Sequence, residues 1–303
     1  MTKKPAKPVA KPEPTTNADA RALDRVQYLE AKLILKPDRF TSVKAFRDFR
    51  KIVRKTAKEA GAKFTQAKKR DMELHVREVV FLDTSDYALY SNAFILRRRI
   101  TYVDGFPSGD PEIVLKFRHT DEETAAGVDV HPRIAGKYQI KFKAEILPLK
   151  DRVGGYRILY SHNCQFGLSQ CLDEDKASIK TLDKVFPALT ALNRASEERV
   201  KLVNEGIVEE VLLPLGTLDF GKGLVAKCDI SLWRTRGEHM PLVGEFAFQA
   251  KFDSKEQVAQ KQRDRAAKFY ISLQHELEEW LALGVTKTAM VYRLKASGMN
   301  AHE

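Results

Sequence analysis

Residues 81–99 read FLDTSDYALYSNAFILRRR, and the fold is decided here. The run into this stretch, Arg77 to Leu82, is β-branched and aromatic and reads as a strand. Asp83-Thr84-Ser85-Asp86 follows as turn chemistry, with Asp83 read as the cap of that turn rather than a reacting group. Ala93 to Val103 reads as the returning strand. Side chains alternate faces along a strand. Arg97 and Arg99 therefore share one face, and Leu96 and Ile100 share the other.

The same pattern recurs outward in both directions. Val26 to Leu35, Glu112 to His119, Gln139 to Leu147, Val208 to Leu213, Leu224 to Arg234 and Leu242 to Phe252 read as strands, with Val291 to Leu294 as a short last one. Tyr28, Glu30 and Lys32 share a face. So do Lys116 and Arg118; Lys141, Lys143 and Glu145; Lys227 and Asp229; and Glu245, Gln249 and Lys251. The opposite faces are apolar, as in Leu115 and Phe117, Ile140 and Phe142, or Phe246 and Phe248. Val43 to Ala60 has helical spacing and stops at Gly61. Residues 184–205 read as helical, and Lys255 to Leu283 as one long helix with Ser254 as N-cap and Gly284 as the stop. Asp104-Gly105 with Pro107 and Gly109 reads as a loop, and 120–137 as a flexible insertion. Residues 151–183 are hard to read and are assigned no element. Consecutive strands of this kind imply an α+β fold rather than a doubly wound one.

The chain has 303 residues, with 43% hydrophobic residues and a net charge of +11. That excludes collagen-like, disulfide-scaffold and mostly disordered chains. No apolar run approaches the roughly 18 to 20 residues of a spanning helix. The Lys/Pro-rich residues 1–22 read as a disordered basic tail, 23–296 as one domain with a partly helical insertion at 151–206, and 297–303 as a loose end. No secretory signal is visible at the start, and three cysteines (Cys164, Cys171, Cys228) suit free thiols, so a cytoplasmic setting is expected. His162 with Cys164 and Cys171 matches no common zinc spacing, and these read as ordinary loop and core residues. The basic balance favours a polyanionic partner.

Charged strand faces have two explanations. One is the solvated outer side of an ordinary sheet. The other is a sheet curled until those faces meet, forming a closed antiparallel β-barrel, a tunnel with a charged lumen, flanked by helices. The charges are mostly cationic, with a few acids in register among them, which suits a polyphosphate with a divalent metal.

The strand series resembles the CYTH domain family, also called triphosphate tunnel metalloenzymes. The family's opening Glu-x-Glu-x-Lys is matched by Tyr28-Leu29-Glu30-Ala31-Lys32 except at Tyr28. Its aromatic strand ending in Asp-Thr and the later Arg-x-Arg are matched by Phe81 to Arg99; Val114-Leu115-Lys116 and Lys143-Ala144-Glu145 follow. The late Glu-x-Glu is reduced to Glu245-Phe246-Ala247-Phe248-Gln249, and the closing Lys is Lys287. The resemblance implies a tunnel in which Lys32, Arg97, Arg99, Lys116, Arg118, Lys143 and Lys287 clamp phosphates. Glu30, Glu145 and Glu245 would hold Mg²⁺ or Mn²⁺, with Asp229 as a spare, and Glu30 and Lys32 would serve catalysis.

Three functions follow as expectations. The first is metal-dependent hydrolysis of a triphosphate or polyphosphate. The second is a tunnel that binds such ligands without turnover, motivated by Tyr28 and Gln249. The third, ranked last, is nucleic-acid binding through the basic tail and the 43–60 helix. An adenylyl cyclase belongs to the same resemblance, but no residue in the sequence reads an adenine.

Overall fold

The computed structural model describes residues 23–68, 73–170, 178–253 and 258–294. The basic tail, the 297–303 end, Cys171 and the Ser254 cap lie outside the described residues. The chain runs through β1 (Tyr28–Leu35), α1 (Val43–Glu59), β2 (Lys63–Gln66), β3 (His75–Asp83), α2 (Ala88–Ser91), β4 (Phe94–Val103) and β5 (Phe106–His119). It continues through α3 (Glu122–Gly127), β6 (Tyr138–Pro148), β7 (Tyr156–Gly167), α4 (Ile179–Val185) and β8 (Lys201–Leu202). It closes with β9 (Val208–Asp219), β10 (Val225–Thr235), β11 (Pro241–Lys251), α5 (Gln260–Glu276) and α6 (Lys287–Tyr292).

Nine strands form a closed barrel in the order β9-β10-β11-β1-β6-β7-β5-β4-β3, and β3 pairs back onto β9. β2 and β8 add short pairings to β9 and β3. The expected α+β barrel flanked by helices is present, with one seam different. β1 pairs with β6 in parallel, from Tyr28↔Lys143 to Ala31↔Ile146. A parallel pair needs a long crossover, and everything from α1 to β5 lies between these two strands.

Alternation along each strand makes the barrel apolar outside and charged inside. On β1, Ala31, Leu33 and Leu35 join the outer core, whereas Glu30, Lys32 and Ile34 line the lumen. The outer faces of β1 and β9–β11 are buried under α1 and α5, through Phe46, Phe49, Val53, Phe269 and Leu273. The outer faces of β4, β5 and β7 are buried under α4 and the 187–192 turn, through Ile179, Leu182, Phe186 and Leu189. Burying such side chains is worth about 1.5–3 kcal/mol each. The helices thus cover the hydrophobic side of the sheet and leave the lumen to the polar side. A third core, with Ile34, Phe81, Ile95 and Trp233 against Tyr90, Val291 and Tyr292, seats α6 at one end of the barrel.

Gly216 has φ +146, and a Cβ there would stand 2.1 Å from the Thr65 carbonyl oxygen. It lies where the β9–β10 register slips between Cys228 and Asp229, a bulge at which only glycine lets β2 approach.

Several segments differ from the sequence reading. Within the 151–206 region, Tyr156–Gly167 is a barrel strand, because β7 pairs with β5 and β6 along the wall. Residues 184–205 are not one helix. Pro187 restarts the chain as a 3₁₀ turn, Asn193 is left-handed at φ 48, and β8 follows. Residues 291–294 are not a strand: Lys287–Tyr292 is helical, and the Thr286 side chain accepts from the Ala289 N–H at its start. The long helix is shorter, Gln260–Glu276, with a separate 3₁₀ turn at Glu278–Trp280. Pro107 and Gly109 belong to β5 rather than a loop. In 120–137, α3 buries Ala125, and Val130 is fully buried beyond it. Cys164 and Cys228 are free and buried, and His162 faces the Ala125 carbonyl and Asp24. Among the described residues no helix is long and apolar enough to cross a membrane.

Candidate functional site: a charged tunnel

Every residue singled out as a phosphate or metal contact lines one cavity inside the barrel: Glu30, Lys32, Arg97, Arg99, Lys116, Arg118, Lys143, Glu145, Glu245 and Lys287. The cavity measures about 440 Å³. Asp229, Lys141 and Lys227 join them. So do Arg77 and Glu210, which sequence reasoning missed although Arg77, Val79 and Phe81 alternate on β3, and Val208, Glu210 and Leu212 alternate on β9. The cavity wall carries ten cationic side chains against five carboxylates, an excess of five positive charges.

Backbone register sets this geometry. The parallel seam places Glu30 beside Glu145, and the antiparallel neighbour places Gln249 on its other side. Lys32 Nζ lies 2.8 Å from Glu30 Oε2 and 3.1 Å from Glu145 Oε1. Lys116 Nζ stands 2.6 Å from Glu145 Oε1, and an Arg118 nitrogen 3.1 Å from Oε2. Ser161, on the unforeseen β7, donates to Glu145 Oε1 at 3.0 Å. Lys143 Nζ bridges Glu30 at 3.2 Å and Gln249 Oε1 at 2.7 Å.

Tyr28 is buried, with Lys143 and Lys251 at 6.0 and 5.8 Å from its ring centroid. Across the lumen, Lys287 reaches in from α6. Its ammonium lies 2.7 Å from Glu245, 3.3 Å from Glu210 and 4.6 Å from the Trp233 ring centroid. Glu210 also takes Arg77 at 2.6 Å and the Trp233 indole N–H at 2.9 Å.

The wall is electrically divided. β4, β5 and β6 supply the cations Arg97, Arg99, Lys116, Arg118, Lys141 and Lys143 with the acid Glu145, whereas β9, β10 and β11 supply the acids Glu210, Asp229 and Glu245 with the cation Lys227. Burial opposes charge on the Glu30 carboxyl, but Lys32 and Lys143 overcome it and hold it down at about 2. Burial likewise opposes the Glu145 carboxylate, and Lys116, Lys32 and Arg118 hold it well below the usual range. The Lys32 ammonium is raised against burial by Glu145 and Glu30.

Lys116 behaves oppositely. Burial and the adjacent Arg118 push it down to about 7 despite Glu145. One carboxylate shared by three cations does not compensate each of them fully. Arg97 is pushed down to about 10 by burial and by Arg99; it forms no ion pair among the described residues, and its Nε lacks a hydrogen-bond partner. On the acidic side, burial and Glu245 push Asp229 up to about 7.

Glu30, Glu145 and Glu245 do not form a metal-holding set as placed. Among the described residues no three acid, histidine or cysteine side chains do. Each of the three carboxylates already contacts a lysine ammonium, and Lys32 Nζ stands between Glu30 and Glu145. The donors present therefore fit ammonium groups rather than a metal ion.

No family model and no curated protein matches the chain. Among solved structures, it is similar to a candidate adenylyl cyclase from Hippeastrum described as having a dominant triphosphatase activity. That match has 12% identity, covers 88% of this chain and 95% of that one, and has a TM-score of 0.40. A candidate adenylate cyclase of Bacillus halodurans shares 10% identity over 89% and 98% of the two chains, with a TM-score of 0.38. A protein of Pyrococcus horikoshii shares 12% identity over 86% and 97%, with a TM-score of 0.34. The closure of the barrel is given by its strand pairing.

Proposed function

We propose that the barrel is a binding tunnel for a triphosphate or polyphosphate group. One observation carries this reading: a cavity enclosed by nine strands holds ten cations against five carboxylates. Buried like charges repel, and an anion that bridges them relieves both the repulsion and the lost solvation. Arginine and lysine at several heights along one wall suit a linear row of phosphates better than a single one. Arg97, without an ion pair among the described residues, offers its fork directly.

Phosphoanhydride hydrolysis with Mg²⁺ or Mn²⁺ is the second reading. It is supported by Lys116, whose amine near pH 7 is poised to exchange a proton with a reacting group. The test is to incubate the protein with tripolyphosphate and with ATP, with and without Mg²⁺ or Mn²⁺, and to follow melting temperature and phosphate release together. A ligand that binds only the folded state raises the melting temperature. A shift without release supports binding alone, and a shift with release supports turnover. No shift with either ligand rejects the proposal. Arg97→Ala is expected to weaken binding by roughly ten- to a hundredfold, the loss of one or two charge-assisted hydrogen bonds.

A further inference from the structure

We infer that this tunnel takes its polyphosphate as the free anion, with lysine ammonium groups standing where a bridging divalent cation would otherwise be needed. The inference rests on the binding reading above and names the ionic form of the ligand.

Geometry supplies the first ground. A cation is needed between Glu30 and Glu145 because two buried carboxylates in direct register repel. Lys32 Nζ already occupies that position, within 3.1 Å of both. Lys287 does the same between Glu210 and Glu245, at 3.3 and 2.7 Å. These ammonium groups are tethered at the site, Lys32 on a paired strand and Lys287 on the helix seated in the barrel end. A metal ion would have to displace them into a cavity that already carries an excess of positive charge.

Charge counting supplies the second ground. The lumen carries five more positive than negative side chains. A fully ionised tripolyphosphate carries on the order of five negative charges. Arg99 is paired with Glu112, so the surplus is not matched charge for charge, but a surplus of this sign favours the more highly charged free anion over its magnesium complex, with about two charges cancelled.

Sequence supplies the third. The positions that would strengthen a metal set hold neutral side chains: Tyr28 beside Lys143, Ala247 opposite Asp229, and Gln249 bonded to Lys143. At Tyr28 and Gln249 the neutral group contacts a lysine ammonium instead.

The test is calorimetric titration of tripolyphosphate into the full chain, once in EDTA and once in excess Mg²⁺, with the same pair of conditions for Lys32→Met. The expected result is binding in EDTA that weakens several-fold in excess Mg²⁺, because the metal competes with the tunnel for the anion. Lys32→Met should lose roughly tenfold or more in EDTA and recover part of that loss with Mn²⁺. Binding by the unaltered chain only with Mg²⁺ or Mn²⁺ overturns the inference while leaving the binding reading intact. Lys32→Met binding as tightly as the parent in EDTA also overturns it. No binding in either condition rejects the binding reading itself. Should Lys32→Met fail to fold, the two titrations of the parent chain decide alone.

Discussion

Lys116 and Asp229 are the two lumen groups whose charge is settled near neutrality, and they face it from opposite walls. Lys116 is depressed from 10.5 to about 7, first by burial and then by Arg118. An incoming anion favours the ammonium and raises that value again. Complex formation above pH 7 should therefore take up a proton, and affinity should fall as pH rises from about 7 towards 10. Titration in two buffers of different ionisation enthalpy would show the uptake, and Lys116→Met would reduce it to the share that Asp229 contributes.

Asp229 is raised from 3.8 to about 7 by burial and by Glu245. The folded state holds its proton more tightly than the unfolded chain does. The resulting stabilisation is complete below pH 4 and is lost as pH rises through 7. Asp229→Asn should therefore be more stable than the parent at pH 8, by on the order of 2 kcal/mol, with the difference vanishing near pH 4. Urea unfolding at the two pH values measures this. The charged faces that place both residues in the lumen were legible, because a period of two needs only the sequence. Their pKa values were not, because these depend on burial and on neighbours from other strands.

At the scale of elements, the turn after β3 and the last helix form one unit. Asp83 is 1% exposed and accepts from the N–H groups of Thr84, Leu89 and Tyr90 at 2.8, 2.9 and 3.0 Å. It also accepts from the Tyr292 hydroxyl at 2.8 Å. Tyr292 stacks on Tyr90 at 4.1 Å, and Asn204 Nδ2 donates to the carbonyls of Val291 and Tyr292. The capping role of Asp83 was readable from Asp-Thr-Ser-Asp; its second role as the anchor of α6, and hence of Lys287, was not. Asp83→Ala leaves three buried N–H groups short of an acceptor and should cost about 2–4 kcal/mol of stability. Tyr292→Phe loses one hydrogen bond and should cost about 1 kcal/mol. Thermal unfolding checks both.

α6 itself escaped the sequence reading because Val291 to Leu294 contains a β-branched and an aromatic residue. The Thr286 cap and packing against Phe81 override that preference. β7 escaped for a different reason. Its inward residues, Ser161, Asn163 and Gln165, alternate as strictly as the lysines do. They carry no charge, and charge is what marks the inward face of the other strands.

At the scale of the whole molecule, the two walls of the lumen predict opposite effects for two neutralising substitutions. The helices outside cover the apolar faces, so both substitutions act through the lumen rather than through the core. Arg97→Ala removes a cation that forms no ion pair among the described residues, so no carboxylate is left uncompensated. Asp229→Asn removes an acid held near half-ionisation by its own neighbours, and its wall becomes less repulsive to an anion. Tripolyphosphate affinity at pH 8 should therefore fall by roughly ten- to a hundredfold in the first and rise by a few-fold in the second. A tunnel that captured its ligand through a metal held on the acidic wall would lose affinity in both. Lumen charges enclosed by a barrel are screened less than surface charges. The opposite signs should therefore persist as salt is raised, whereas any polyanion binding on the exposed lysines and arginines of α1 should weaken steeply. Titrating both variants at low and high salt separates the tunnel from the surface, and equal losses in the two variants would show that the acidic wall attracts the ligand rather than opposing it.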